Sequence, residues 1–296
     1  MKRPPLPRTA AIHDLSGFGR ASLSVVIPVL SSMGIQVCAL PTAVLSSQTT
    51  GMTGFTFCDL TDQLDAVLDH WKKLDVSFDA VYSGFLGSPK QAETVLRCIR
   101  ELKSEDGIIL VDPVLGDDGR LDPTQTREMV ESMRVLVRHA DVITPNLTEA
   151  AFLLGREYDP ALTDEELKDQ LRALSASGPD VVVITSAPGE GPAAEPRSRR
   201  SMRVAAYEKE SGRFWQTSHP SVPAYYPGTG DTFAAVFLGA LLRGESVPMA
   251  MTRAAEFVYN AILTTYGYGT PAMEGIMLEK VLPAVNGRIT AGYTAF

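Results

Sequence analysis

The sequence predicts an α/β fold: a mostly parallel sheet covered by helices on both faces. Three observations predict it. Short apolar runs of strand length alternate with segments of helical spacing along most of the chain, the pattern of strands joined by helical crossovers. Residues 107–111 and 181–185 are runs of buried-strand character, as strands covered on both faces are. The composition is that of a folded protein: of 296 residues, 45% are hydrophobic and 21% charged, which excludes a disordered chain.

Each element has its own signal. Residues 9–13 read as a first strand, closed by Asp14-Leu15-Ser16-Gly17. Residues 22–33 follow with helical spacing (Leu23, Val26, Ile27, Leu30, Met33), and Gly34 is the stop. Residues 36–40 form a short strand before Pro41. A helix over 60–74 places Leu64, Val67, Leu68, Trp71 and Leu74 on one face. Strands follow at 79–82, 107–111 and 142–144, interleaved with helices at 89–103, 123–139 and 146–154. The helix over 164–176 carries acidic residues in its first turn, as the helix dipole favours. A strand at 181–185 precedes a Pro-, Gly- and Arg-rich stretch, 187–201, which reads as a flexible exposed loop. Residues 204–207 and 213–217 flank Ser211-Gly212, a hairpin signal. Two long helices, 229–242 and 248–266, complete the chain; the first is rich in small and apolar residues and reads as buried. No repeat or linker divides the sequence, so residues 1–296 are expected to form a single domain.

Charge and cysteine content exclude several functions. With 27 Lys+Arg against 35 Asp+Glu, the net charge is -8, and the chain lacks the field expected of a nucleic-acid binder. Three cysteines exclude a disulfide scaffold. No apolar run reaches the roughly 18 residues of a membrane span, and no signal-peptide core follows the basic N-terminus. A cytoplasmic, soluble, compact protein of enzyme size is expected, with neither nucleic acid nor membrane as partner.

In such a sheet, chemistry gathers beyond the carboxyl ends of the strands. Pro227-Gly228-Thr229-Gly230-Asp231-Thr232-Phe233 opens the buried helix. A glycine turn at a helix N-terminus presents converging N–H groups, an anion site. Asp231 beside it cannot ligate an anion. It suits a general base that takes the proton of a hydroxyl attacking a phosphoryl group, while Gly228, Thr229 and Gly230 hold the developing charge. Taken alone, Thr229 or Asp231 serves equally well as a helix cap. The chain has neither a P-loop nor the protein-kinase motifs.

Gly-Thr-Gly-Asp at 228–231 resembles the signature of the ribokinase-like kinases, three-layer α/β/α sandwiches that phosphorylate small-molecule hydroxymethyl groups with MgATP. Asp112-Pro113-Val114-Leu115-Gly116-Asp117, Thr144-Pro145-Asn146-Leu147-Thr148-Glu149 and Val183-Ile184-Thr185-Ser186, in this order, look like the vitamin B6 kinase branch. Ser46-Ser47-Gln48-Thr49 is similar to that branch's substrate segment. Ile12-His13-Asp14-Leu15-Ser16-Gly17-Phe18-Gly19 looks like a bacterial pyridoxamine kinase variant.

The resemblance implies ATP-dependent phosphorylation of the 5'-hydroxymethyl group of pyridoxal, pyridoxine or pyridoxamine, with Asp231 as base. It places Asp112, Thr144, Asn146, Glu149, Thr185, Ser186 and Thr229 on the nucleotide. Asp112, Asp117 and Glu149 would support Mg²⁺, a hard cation suited to carboxylate and phosphate oxygens; a monovalent cation such as K⁺ would lie near Thr144. His13, Ser16, Thr49, Phe85 and Asp231 would face the pyridine substrate. Val222, Phe257, Asn260 and Ala261 are candidates for the adenine pocket. Gln48 stands where the branch often has His, and Phe85 where it often has Tyr, which leaves the preferred vitamer open. The hairpin and the resemblance together suggest a homodimer. The alternatives are a hydroxymethylpyrimidine kinase of thiamine synthesis and a non-catalytic pyridoxal-phosphate binder.

Other residues read as structural. Cys38, Cys58 and Cys98 lie in apolar contexts and read as buried thiols. His70 and His139 read as surface residues, His219 as a loop residue near the site. Gly17-x-Gly19 invites a dinucleotide-binding reading, but Ser22 occupies the third glycine position and the acidic partner is missing.

Overall fold

A computed structural model of the chain describes residues 5–189 and 201–296. Of the loop expected at 187–201, residues 190–200, with the Arg197, Arg199 and Arg200 cluster, lie outside the described residues.

The strand–helix alternation produces one ten-stranded sheet. Strands β1 (Arg8–Ser16), β2 (Gln36–Leu45), β4 (Phe78–Ser83), β5 (Lys103–Val111), β8 (Val142–Ile143) and β9 (Val181–Ala187) run parallel. Their spatial order is β9-β8-β5-β4-β1-β2. The hairpin expected around Ser211-Gly212 forms as β10 (Met202–Glu208) and β11 (Arg213–His219) and extends the sheet antiparallel beyond β9. Short strands β3 (Phe57–Asp59) and β12 (Thr294–Ala295) make the two edges. A separate two-strand ribbon, β6 (Gly116–Asp117) with β7 (Arg120–Leu121), stands just past β5.

Helices cover both faces. One apolar core joins α1 (Leu23–Ser32), α7 (Thr229–Leu242), α8 (Val247–Tyr268) and α9 (Leu278–Val281) to the sheet. The other joins α2 (Thr61–Lys73), α3 (Pro89–Leu102), α4 (Arg127–Val137), α5 (Leu147–Leu154) and α6 (Asp164–Ala176) to the opposite face. Helix α7 is buried without interruption from Thr232 to Ala240. It packs against α1 and α8 as well as the sheet, which is why its residues are small and apolar all round. This is the three-layer α/β/α architecture that the sequence predicts.

Several expectations change. Strand β1 continues to Ser16, through residues expected in a turn, with a shift of register against β2 between His13 and Leu15. His13 and Asp14 are consecutive yet both buried, because both faces of the sheet are covered at this strand end. Helix α4 starts at Arg127 rather than 123, where the Thr126 hydroxyl accepts the Met129 N–H at 3.2 Å and caps it. Cys58 is exposed, not buried, because it lies on the unforeseen edge strand β3; Cys38 is half-buried and Cys98 buried. His219 is not in a loop. It ends β11 and stacks on Tyr259, ring centroids 5.0 Å apart.

Candidate active site

The carboxyl ends of β1, β4 and β5 lie by the N-terminus of α7: Asp231 is 3.9 Å from His13, and its charge acts on Tyr82 and Asp112. Gly228 is the residue before α7 and has φ 79°, ψ 3°, the left-handed conformation that glycine adopts without strain. A Cβ there would also collide with the Arg20 carbonyl oxygen. Asp231 lies in the first turn of α7, which follows Gly228.

Asp231 is partly buried, its side chain 13% exposed. Its Oδ2 accepts the Ser22 N–H at 2.9 Å. Its Oδ1 lies 3.9 Å from Nδ1 of the fully buried His13. Burial, followed by the nearby negative charge of Asp14, raises the Asp231 carboxyl to about 6, against a lowering by the Ser22 hydrogen bond. Burial pushes the His13 imidazole down to about 3, so it is neutral. The His13 ring meets Tyr82 edge-on, centroids 4.3 Å apart. Gly84 leaves room for that ring, since a Cβ at 84 would run into Nδ1 of His13. Both His13 nitrogens and the Tyr82 hydroxyl are buried without a hydrogen-bond partner. Tyr82 is held far above its ordinary range by burial and then by Asp112 and Asp231, so it remains a neutral hydroxyl. The spot presents a carboxylate of raised basicity beside neutral polar groups that lack partners of their own.

A second group forms around the N-terminus of α5. Asp112, just past β5, accepts the Thr144 hydroxyl at 3.1 Å. Asn146 and Glu149 make a reciprocal capping box: Asn146 Oδ1 accepts the Glu149 N–H at 2.9 Å and Glu149 Oε2 accepts the Asn146 N–H at 2.8 Å. Glu149 Oε1 accepts the Leu115 N–H at 3.1 Å, and Asn146 Nδ2 donates to the Gly116 carbonyl at 2.8 Å, which ties α5 to the β6–β7 ribbon. The Ser186 hydroxyl accepts the Leu147 N–H at 3.1 Å, and the Thr185 N–H donates to the Pro145 carbonyl at 3.0 Å. Asp117 is half-buried on the ribbon. Asp112 and Glu149 are both raised, by burial first; Asp231 also raises Asp112, and Asp112 also raises Glu149. Among the described residues, no three His, Cys, Asp or Glu side chains could hold a metal by themselves.

The structure therefore brings Asp231, His13 and Gly228 to one point, and Asp112, Thr144, Asn146, Glu149, Thr185 and Ser186 to a second, with Asp112 close enough to feel Asp231. Thr229 and Gly230 lie in the first turn of α7, where the Thr229 hydroxyl donates to the Tyr226 carbonyl at 3.2 Å. The buried Ser16 hydroxyl is turned to Asp14 Oδ2, 3.1 Å away. Thr49 and Phe85 are half-buried on the loops after β2 and β4. Gln48, at the position where the branch often has His, is buried: its Nε2 donates to the Thr50 and Met273 carbonyls at 2.7 and 3.0 Å. Of the adenine candidates, Val222, Phe257 and Ala261 are buried in the core beneath α7 and α8, and Asn260 is exposed. Sequence reasoning missed Asp14, Ser22, Tyr82 and Gly84. The available signal was Ser22 at the third glycine position of the first turn.

Comparison with known proteins gives three kinds of match. The phosphomethylpyrimidine kinase family matches residues 24–274. A pyridoxal kinase of Burkholderia orbicola is 30% identical over 258 residues, 84% of this chain and 85% of its own. A Bacteroides thetaiotaomicron protein assigned to the phosphomethylpyrimidine kinases, crystallised with pyridoxal, is 50% identical over 98% of this chain and 100% of its own, with a TM-score of 0.92. The pyridoxal kinase of Lactobacillus plantarum superposes with a TM-score of 0.84, at 33% identity over 95% of this chain and 96% of its own.

Proposed function

The chain belongs to the phosphomethylpyrimidine kinase family, and from that premise we propose a residue-level account of how it phosphorylates vitamin B6. The activity is transfer of a phosphoryl group to the 5'-hydroxymethyl of pyridoxal, pyridoxine or pyridoxamine, with ATP as donor. One observation carries the reading: Asp231, a carboxylate of raised basicity, stands in the first turn of α7 directly after the left-handed Gly228.

Asp231 takes the proton of the 5'-hydroxyl as that oxygen attacks the γ-phosphorus. The N–H groups of the turn formed by Gly228, Thr229 and Gly230 stabilise the charge on the phosphoryl oxygens, helped by the α7 dipole. His13 is neutral and fully buried, so it offers the pyridine substrate hydrogen bonding without charge. Thr49 and Phe85 complete the ring-facing set, while Ser16, also expected there, commits its hydroxyl to Asp14.

Asp112 and Glu149, two buried carboxylates both raised by burial, with the Asp112 charge further raising Glu149, fit a divalent cation. Together with Asp117 they would hold Mg²⁺, which neutralises triphosphate charge when bound. A donor set of oxygens too sparse to bind alone suits a metal that keeps its waters and takes further oxygens from phosphate. Thr144, Asn146, Thr185, Ser186 and Thr229 would line the nucleotide, and Thr144 also the place of a monovalent cation. The site draws on β1 through α7, which supports reading 1–296 as a single kinase domain. No described helix is long and apolar enough to cross a membrane. A homodimer in the cytoplasm is the expected working form.

The test is MgATP-dependent conversion of the three vitamers, run beside hydroxymethylpyrimidine. Formation of the pyridine 5'-phosphates in preference to the pyrimidine phosphate is the expected result. Preference for the pyrimidine would return the chain to the activity that names its family, and nucleotide binding without turnover of any alcohol would make it a binding protein.

A further inference from the structure

Ser22 stands where the turn calls for glycine. Its backbone has φ 53° and ψ -134°, a region in which a side chain crowds its own main chain. The side chain does not cap α1, although Ser22 is the residue before it. Instead the Ser22 hydroxyl donates to Asp14 Oδ1 at 2.5 Å, and its N–H donates to Asp231 Oδ2 at 2.9 Å. Asp14 is itself buried where β1 loses register with β2, and its other oxygen accepts the Ser16 hydroxyl. The turn is held from outside as well: the Arg20 N–H and guanidinium donate to the Glu274 carbonyl at 3.2 and 3.0 Å, and the guanidinium pairs with Glu279 at 3.0 Å. A strained backbone is kept only where its surroundings over-determine it. Here the bond to Asp14 holds the residue, and the held N–H points at the base.

We propose that Ser22, anchored by Asp14, is a positioning residue for the base: its N–H fixes Asp231 Oδ2 and leaves Oδ1, the oxygen on the His13 side, to take the proton of the substrate hydroxyl. The proposal rests on the reading of Asp231 as the base. A free carboxylate rotates and offers either oxygen; tethering one removes that freedom and sets the reacting oxygen in line with its proton. Ser22 touches no reacting atom, so its effect belongs to kcat rather than to substrate binding.

The experiment measures kcat and both KM values for Ser22→Ala, Ser22→Gly, Asp14→Ala and Asp14→Asn, each alone and in an Asp231→Asn background, with melting curves for all. Ser22→Ala, Ser22→Gly and Asp14→Ala should lower kcat by about 10-fold to 10²-fold with KM nearly unchanged. Ser22→Gly tolerates the backbone angles, so a loss of kcat there cannot come from misfolding. Asp14→Asn keeps an acceptor for the Ser22 hydroxyl while removing the charge that helps raise Asp231, so it should lose clearly less kcat than Asp14→Ala. In the Asp231→Asn background the Ser22 and Asp14 substitutions should cost nothing further, since the group they position is gone. Wild-type kcat in Ser22→Gly, an equal loss in both backgrounds, or an Asp14→Asn loss as large as that of Asp14→Ala would overturn the proposal. Wild-type turnover by Asp231→Asn alone would overturn the base reading instead.

Discussion

Replacing Asp231 by asparagine should stabilise the protein while nearly abolishing its activity, with a stability gain that grows from pH about 4 and is complete above pH about 6. The carboxyl rises from its ordinary 3.8 to about 6, through burial first and the Asp14 charge second. Roughly two pH units at about 1.4 kcal/mol each mean that the ionised side chain costs the fold about 3 kcal/mol. The side chain keeps 13% exposure and an amide must still accept the Ser22 N–H, so a gain of about 1–3 kcal/mol is expected. For a chain of this size that is a rise of about 2–5 °C in Tm. The sign follows from proton counting. Below pH 3.8 the group is protonated in both the folded and the unfolded chain and contributes no difference. Between 3.8 and 6 the unfolded chain gives up the proton while the folded one keeps it, so the fold loses stability as pH rises, and above 6 the cost is complete. Melting curves of the parent and Asp231→Asn at pH 4.5, 6 and 8 should therefore diverge as pH rises, and kcat should fall by about 10²-fold or more. A variant that melts below the parent at pH 8, or whose gain is the same at pH 4.5 and 8, would refute the electrostatic account.

Three further outcomes follow from the same geometry. The free enzyme's kcat/KM should fall on the acid side of pH about 6, because the base must be ionised to accept a proton; an acid limb at the ordinary carboxylate value would remove the link between burial and basicity. Gly228→Ala should lose about 10²-fold or more in turnover, since the new Cβ meets the Arg20 carbonyl in a left-handed conformation; near-normal kcat would mean that the turn is not the phosphoryl cradle. Gly84→Ala should destabilise by about 1–3 kcal/mol and raise the KM for the vitamer, because it displaces the His13 ring; an unchanged KM would take His13 out of substrate binding.

The strands, the helices and the buried nature of α7 were legible because burial on two faces writes continuous apolar runs and small residues into the chain. Asp231, Gly228, Asp112, Asn146 and Glu149 were legible because each lies just past a strand or at a helix start, in a short contiguous segment. Edge strands β3 and β12 were not, since two or three residues carry no periodicity, and Cys58 was misread with β3. Ser22, Tyr82 and Gly84 escaped for another reason. Each acts on a partner far away in sequence: Ser22 on Asp231, Tyr82 and Gly84 on His13.

From the order of amino acids alone come the layered α/β architecture, the strand ends where chemistry collects and the glycine turn that opens α7, because local propensity and hydrophobic period are properties of contiguous segments. The three-dimensional fold decided what those residues are able to do. Asp231 becomes a stronger base only because β1 and α7 bury it beside Asp14, and His13 stays neutral far into the acid range only because the closed sheet removes water from it. Desolvation and through-space charge depend on which distant segments meet, and no local pattern records that.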